Sequence, residues 1–308
     1  MLAKQAESFL SAGWSGERTP KACIVGLGLI GGSWAGALFK RGWQVSAVEQ
    51  DPQSLKQALN RGWIQEGWTE VPSEIDVDLV VVALPLHRML ANLDCLMERI
   101  KSGGIVTDVG SIKTEISLKA SEFAQRGLYF IGGHPMAGSE KAGFMVADSE
   151  LFKGYPYVLT PEENCPEQVV QQLSELIVSI GAKVVIRQAT SHDKEVAMIS
   201  HIPHMLAVAL TLAAQDVADQ GLSALQLAGR SFRELTRIAD SSPEMWQEVL
   251  VRNNTAILEG LDYWQKRIDE LSEYVRKGDR AGINQAFNQA RLVREVLLPT
   301  ESEGDEVI

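Results

Sequence analysis

The chain has five histidines in 308 residues, and His134, His201 and His204 stand where an imidazole could do chemistry. His134 lies in GGHPMAGSE, after two glycines and before a proline, a backbone setting that holds a ring out of a sheet instead of packing it into a core. So placed, it is a candidate general base near neutral pH, against the blander possibility of a surface histidine in a turn. Ser111, in DVGSIK two residues ahead of Lys113, could orient that imidazole or a substrate hydroxyl, could cap a helix, or could do both. His201 and His204, three apart in SHIPH, could be zinc ligands, core histidines or substrate contacts. No third ligand follows at sensible spacing, so no metal is expected. Substrate contact is favoured for His204, while both remaining alternatives stay open for His201.

Cations are the second group. In AGRSFRELTRIADSSPEMW, Arg230, Arg233 and Arg237 fall at i, i+3 and i+7, which puts them on one face if the segment is helical. A guanidinium grips a carboxylate through two parallel hydrogen bonds, so this face invites a polycarboxylate. The alternative is a solvated face paired with Glu234 and Glu244.

The third group is a glycine loop. Gly26, Gly28 and Gly31 form GxGxxG directly after an apolar strand-like run and at the head of a helical stretch that opens with Leu29 and Ile30. One glycine permits a tight turn, one lets backbone approach a pyrophosphate, and one allows close packing of helix on strand, while free helix-start N–H groups attract phosphate. Glu49 ends the second strand-like run, where a carboxylate can accept from an adenosine ribose diol. Neither Arg nor Lys follows within EQDPQ, so NAD is expected in preference to NADP. Leu84 and Pro85, in ALPLH after a third run, are expected to line the same cofactor site.

These side chains need a scaffold that brings them together. KACIVGL, WQVSAVE, DLVVVALP, GIVTDVG, LYFIGG, YPYVLTP and AKVVIR are short, apolar and bounded by Gly, Pro or Asp, and helix-length stretches separate the early ones. That alternation predicts a parallel α/β sheet. Beyond Arg187 the strand grammar stops. Thr190 to Asp193 reads as a hydroxyl-capped helix start before the apolar stretch VAMISHIPHMLAVALTLAAQ, and Ser242-Pro243-Glu244 starts a helix expected to run to Gly278, with Asp279 beginning the last. The expected organisation is a leader over 1–20, a Rossmann-like dinucleotide domain over 21–189, an all-α substrate and dimerisation domain over 190–298, and a disordered acidic tail over 299–308.

Composition narrows the partners. A net charge of −11 leaves no concentrated positive surface for nucleic acid, and Cys23, Cys95 and Cys165 form neither a CxxC pair nor a disulfide framework. Neither a signal peptide nor an apolar run of bilayer-spanning length is read, so no membrane partner is expected and a cytoplasmic location is. LAVALTLAA is apolar all round, which predicts burial against neighbours and a homodimer.

Taken in order, GLGLIGGS, DVGSIK, GGHPMAGSE, SHIPH and RELTRIADSSPEMW resemble the motifs of prephenate and arogenate dehydrogenases, from Lys21 to about Leu298. The resemblance implies an α/β Rossmann-like N-terminal domain followed by an all-α C-terminal dimerisation domain, and an NAD-dependent oxidoreductase that decarboxylates prephenate, or its amino analogue arogenate, on the route to tyrosine. It implies that His134 takes the ring hydroxyl proton with help from Ser111. Arg237 would bind a substrate carboxylate, with Arg233 on the same face, His204 and His201 at the pocket, and Glu140 in the ion network around Arg237. Two positions depart from the pattern: Ser231 and Glu234 stand where the family often has Gly and Asp, and Arg230 is unusual there. Many relatives carry a C-terminal ligand-sensing domain for which this chain is too short, so tyrosine, if it inhibits, is expected to compete at the active site. Two other readings are a β-hydroxyacid dehydrogenase, which would place a catalytic lysine on the long helix where only Lys194 is offered, and a non-catalytic NAD sensor.

Overall fold

The computed structural model describes residues 14, 18–138, 141–221 and 224–296. The expected acidic tail and most of the expected leader lie outside these residues. Eight strands form one sheet in the order β3-β2-β1-β4-β5-β6-β7-β8: β1 Lys21–Val25, β2 Gln44–Val48, β3 Glu66–Trp68, β4 Leu79–Val82, β5 Ile105–Asp108, β6 Tyr129–Pro135, β7 Pro156–Pro161 and β8 Lys183–Ile186. The first six run parallel, so the carboxyl ends of β1, β4, β5 and β6 share one edge of the sheet. The central strands β1, β4 and β5 are buried almost throughout, which is why they read as continuous apolar runs and not as alternation.

Helices α1 (Leu29–Phe39), α2 (Pro52–Asn60), α3 (Leu86–Arg99), α4 (Thr114–Gln125) and α5 (Glu167–Ser179) are interleaved with the strands. The core splits between two faces of the sheet: Ile24, Trp34, Leu38, Val81 and Tyr157 lie in one buried cluster, and Val25, Val82, Met89, Leu93 and Phe123 in the other. Alternate residues of one strand enter opposite clusters, as the pleat requires.

Several expectations are corrected, and one strand is added. The sheet is not wholly parallel, because β7 pairs antiparallel with β6, His134 facing Val158. The short β3 carries only three residues and no apolar run, and so gave no signal. Glu49 stands one residue beyond β2, its N–H bonded to the Trp68 carbonyl at 2.9 Å. Thr190 caps nothing: α6 (Ala189–Val196) starts after Gln188 without a side-chain cap, and Asp193 reaches instead to another helix. The helix from Ser242 does not run to Gly278, since α9 (Pro243–Arg252) ends at Asn253 and α10 (Asn254–Lys277) begins after it.

The long apolar stretch is a composite. After α6 a wide π turn, Ala197–His201, leads into α7 (Ile202–Asp219). Pro203 has no N–H to donate and its ring crowds the carbonyl four residues back, so the backbone widens just ahead of it. Read as one helix, Ala189–Asp219 is 31 residues long and apolar enough to cross a bilayer by length and composition, contrary to expectation. It also holds the buried polar residues His192, Asp193 and His201, and α7 leaves Val208, Leu210 and Leu212 exposed. Next come α8 (Arg230–Thr236) and a 3₁₀ turn over Arg237–Asp240.

The chain forms two compact units, Met1–Asn254 and Thr255–Ile308. Helices α6 to α9 belong with the sheet in the first because Asp193 binds the start of α4 and Arg252 pairs with Glu115 at 2.6 Å. In the second, Gly278 closes α10 at φ +64° and the Asp279 carboxylate caps α11 (Arg280–Glu295) through the Gly282 N–H, as the sequence predicts.

Candidate active site

The glycine loop has the geometry its motif requires. Gly26 adopts φ +98°, and a Cβ there would stand 2.5 Å from the Ala83 carbonyl oxygen. At Gly31 a Cβ would fall 1.9 Å from the Gly26 carbonyl oxygen, so α1 can approach β1 only without a side chain. Gly28 is different: nothing lies within 4 Å of where its Cβ would be, although it begins α1 and its side has no packing reason to be bare. Open space beside uncapped helix-start N–H groups is what a pyrophosphate needs. Leu29 and Ile30 lie half-buried in the first turn, Leu84 approaches Gly26, and Pro85 starts α3. Glu49 is fixed by backbone, one carboxylate oxygen accepting from the Leu27 N–H at 2.7 Å and the other from the Asp51 N–H at 2.9 Å. A cation does reach this corner: Arg88, from the first turn of α3, lies 3.5 Å from the Gln50 side-chain oxygen, which strand-by-strand reading did not reveal.

On the same edge, β6 presents His134. Its two glycines are needed for close approach, because a Cβ at Gly132 would meet Thr160 at 2.3 Å and one at Gly133 would meet the Asp108 carbonyl at 2.5 Å. Beneath them the Lys113 ammonium is fully buried, ion-paired with Asp108 and donating to the Gly133 carbonyl at 2.7 Å. Asp108 also accepts from the Gly133 N–H at 3.1 Å and the Gly110 N–H at 2.7 Å. Burial weakens the hold of Lys113 on its proton, and the Asp108 carboxylate opposes that loss.

His134 Nδ1 lies 2.8 Å from His192 Nε2, and His192 Nδ1 lies 2.8 Å from Asp193 Oδ1. The Asp193 carboxylate also accepts the Lys113 and Thr114 N–H groups, each at 2.8 Å, and so caps α4 from another helix. Burial works against ionisation of Asp193, but the hydrogen bonds from His192, Thr114 and Lys113 outweigh it and hold the carboxyl below its ordinary pKa. Burial, followed by His192, Lys113 and His201, pushes His134 well below the usual imidazole value, so it is neutral at pH 7. Ser111 forms no hydrogen bond with His134 and does not cap α4, whose amides Asp193 takes, so the expected cap is corrected.

His201 is a core residue and not a solvent-facing contact. It is 2% exposed, its Nδ1 accepts from Asn253 Nδ2 at 3.1 Å, and burial lowers its pKa to about 4. Asn253 also donates to the Asp193 carbonyl at 2.8 Å. His204 stacks on Trp246 with ring centroids 3.8 Å apart, and its Nδ1 donates to the Ser200 carbonyl at 2.9 Å. Burial lowers the His204 pKa, with nearby Arg237 adding to the effect.

Arg230, Arg233, Glu234 and Arg237 line an open depression of about 670 Å³ together with Ala228 and Gly229. Arg230 pairs with Glu234 at 2.6 Å, whereas Glu244 takes the Ser242 hydroxyl at 2.7 Å. Among the described residues Arg233 and Arg237 have no carboxylate partner, so two exposed guanidinium groups face this depression unneutralised. Glu140 lies outside the described residues. Sequence reading missed His192, Asn253 and Trp246 as site residues. The one available signal was the pair His192-Asp193 itself, polar and adjacent at the head of an apolar helix.

Residues 34–186 match the family model described as prephenate dehydrogenase, nucleotide-binding domain, and residues 188–289 match that described as prephenate dehydrogenase, dimerization domain. The first match begins inside α1, so the glycine loop is assigned on its own geometry. The chain is 35% identical over 280 residues to prephenate dehydrogenase of Lactococcus lactis, spanning 90% of this chain and 77% of that protein. Against prephenate dehydrogenase of Bacillus subtilis it is 34% identical over 287 residues, spanning 91% and 76%. In structure it is similar to Aquifex aeolicus prephenate dehydrogenase in complex with hydroxyphenyl propionate and NAD⁺, with TM-score 0.83 and 25% identity over 91% of this chain and 99% of that one. It is also similar to Synechocystis arogenate dehydrogenase, with TM-score 0.79 and 29% identity over 90% and 100%.

Proposed function

The chain belongs to the prephenate dehydrogenase family, and on that premise we propose that it oxidatively decarboxylates prephenate to 4-hydroxyphenylpyruvate with NAD⁺, arogenate being the alternative substrate and tyrosine then the product. The observation that carries this reading is a neutral imidazole, His134, on the sheet edge that also bears the open Gly28 loop and Glu49. Ligands of open parallel sheets bind beyond this edge.

NAD⁺, held by the open Gly28 loop and Glu49, would supply the hydride acceptor for the ring carbon that carries the hydroxyl. His134 receives the hydroxyl proton as the carbonyl forms, the ring carboxylate departs as CO₂ with aromatisation driving the step, and the phenolate oxygen then takes the proton back. A placed base contributes a factor of about 10²–10⁴. Arg237 holds a substrate carboxylate, with Arg233 beside it, and His204 lines the pocket, its ring kept in place by Trp246. Ser111 follows β5 at the carboxyl edge of the same sheet. The exposed apolar side chains of α7 support a homodimer, and the chemistry suits a cytoplasmic enzyme of tyrosine biosynthesis.

The test is NADH absorbance on mixing the protein with NAD⁺ and prephenate or arogenate, repeated with NADP⁺. NADH formed with one of the two acids is the expected result. Silence in all four mixtures from folded, NAD⁺-binding protein would overturn the reading. Equal rates with NADP⁺ would show that Arg88 outweighs Glu49 at the ribose.

A further inference from the structure

We propose that His192 and Asp193 form a proton relay with His134, in which His192 takes over the positive charge created when His134 accepts the substrate proton. The proposal rests on the reading of His134 as the base and names what stands behind it.

Hydrogen-bond polarity decides the arrangement. A carboxylate is an acceptor only, and Asp193 already receives the Lys113 and Thr114 amides. At 2.8 Å from its Oδ1, His192 Nδ1 must therefore carry hydrogen. Neutral His192 then has its lone pair on Nε2, which faces His134 Nδ1 at 2.8 Å, so that nitrogen is the donor. The lone pair of neutral His134 is left on Nε2, which no group among the described residues bonds. Two buried side chains thus select the tautomer that points a base outward.

The proton balance follows. The substrate O–H bond breaks and its proton goes to His134 Nε2. The Nδ1 proton of His134 crosses to His192 Nε2, leaving His134 neutral with an N–H toward the new carbonyl and His192 as the imidazolium. As CO₂ departs, its bonding pair aromatises the ring and leaves a phenolate; the transfers reverse and Nε2 returns its proton to that oxygen, so the cycle releases no net proton. The charge rests better on His192 because the Asp193 carboxylate adjoins that ring, whereas the Lys113 ammonium opposes a proton on His134. The other charged or titratable groups around the pair are Asp108, paired with Lys113, and His201, whose Nδ1 is held as an acceptor by Asn253.

With five histidines, the whole chain labelled with ¹⁵N-histidine can be followed ring by ring. The expected spectrum has both His134 and His192 in the Nδ1–H form near neutral pH. An Nε2–H form of either ring overturns the relay, and this readout needs no substrate. In kinetics, His192→Gln offers an oxygen to accept from His134 Nδ1–H but cannot take the proton. It should leave KM within about 3-fold, lower kcat roughly 10- to 100-fold, and move the acid limb of kcat/KM to lower pH. An unmoved limb, or unchanged kcat, sinks the relay. A wild-type protein that oxidises neither acid sinks the functional reading instead, and the spectrum still decides the relay.

Discussion

Substituting alanine at Gly28 and at Gly31 separates cofactor binding from folding within four residues of chain. At Gly31 the added carbon would sit 1.9 Å from the Gly26 carbonyl oxygen, which is backbone and cannot swing aside. Overpacking of this kind costs about 1–3 kcal/mol or more, and with on the order of 2–4 °C lost per kcal/mol the variant should melt several degrees lower. At Gly28 the carbon enters open space and the backbone is extended, so the fold loses only the preference for Gly over Ala at a helix start, about 1 kcal/mol or less. The same methyl occupies the space a pyrophosphate would need, so Gly28→Ala should weaken NAD⁺ binding at least 10-fold. Thermal melting with and without NAD⁺ reads both: at 100 times the dissociation constant, ligand adds about 2.7 kcal/mol of stability to a competent site. A Gly28→Ala protein that keeps the wild-type NAD⁺ shift would refute the placement of the dinucleotide, and one that melts below Gly31→Ala would refute the packing argument.

In steady-state kinetics, His134→Asn should lower kcat about 10²–10⁴-fold with little change in KM. Arg237→Ala should chiefly raise KM, by roughly 10- to 100-fold for one charge-assisted hydrogen bond; the reverse pattern would exchange their roles. Asn253→Ala strips partners from the buried Asp193 carbonyl and His201 Nδ1, so denaturant unfolding should show a loss of about 1–3 kcal/mol per unpaired group. No loss would mean that water replaces the amide. His201, lowered to about 4, contributes stability that is full above its unfolded pKa of about 6.5 and is lost as pH falls toward 4. The unfolded chain binds the extra proton in that window, a slope of up to about 1.4 kcal/mol per pH unit, and His201→Gln should flatten it. An unchanged slope in that variant would place the acid sensitivity elsewhere, His134 being the next group of the same sign.

What was legible in the sequence was local. GxGxxG, the Ser242 and Asp279 caps and the Gly278 stop each depend on backbone within a few residues, and each is in place. The strands read well because buried parallel strands are apolar along their whole length. Reversal of β7 was illegible, since direction depends on which neighbour a strand pairs with. The site failed in the same way: His134 meets His192 across 58 positions, and Lys113 meets Asp193 across 80. Asp193 looked like a capping acid for its own helix and caps a different one. Asn253 looked like the interior of a continuous helix, yet it stands between two, where its side chain reaches both the Asp193 carbonyl and His201.

Asp193 holds two amides of α4 with the same carboxylate that orients His192. In a mutagenesis library, then, position 193 cannot be scored on activity and on robustness independently: a change that detunes the histidine pair also frees the end of a helix.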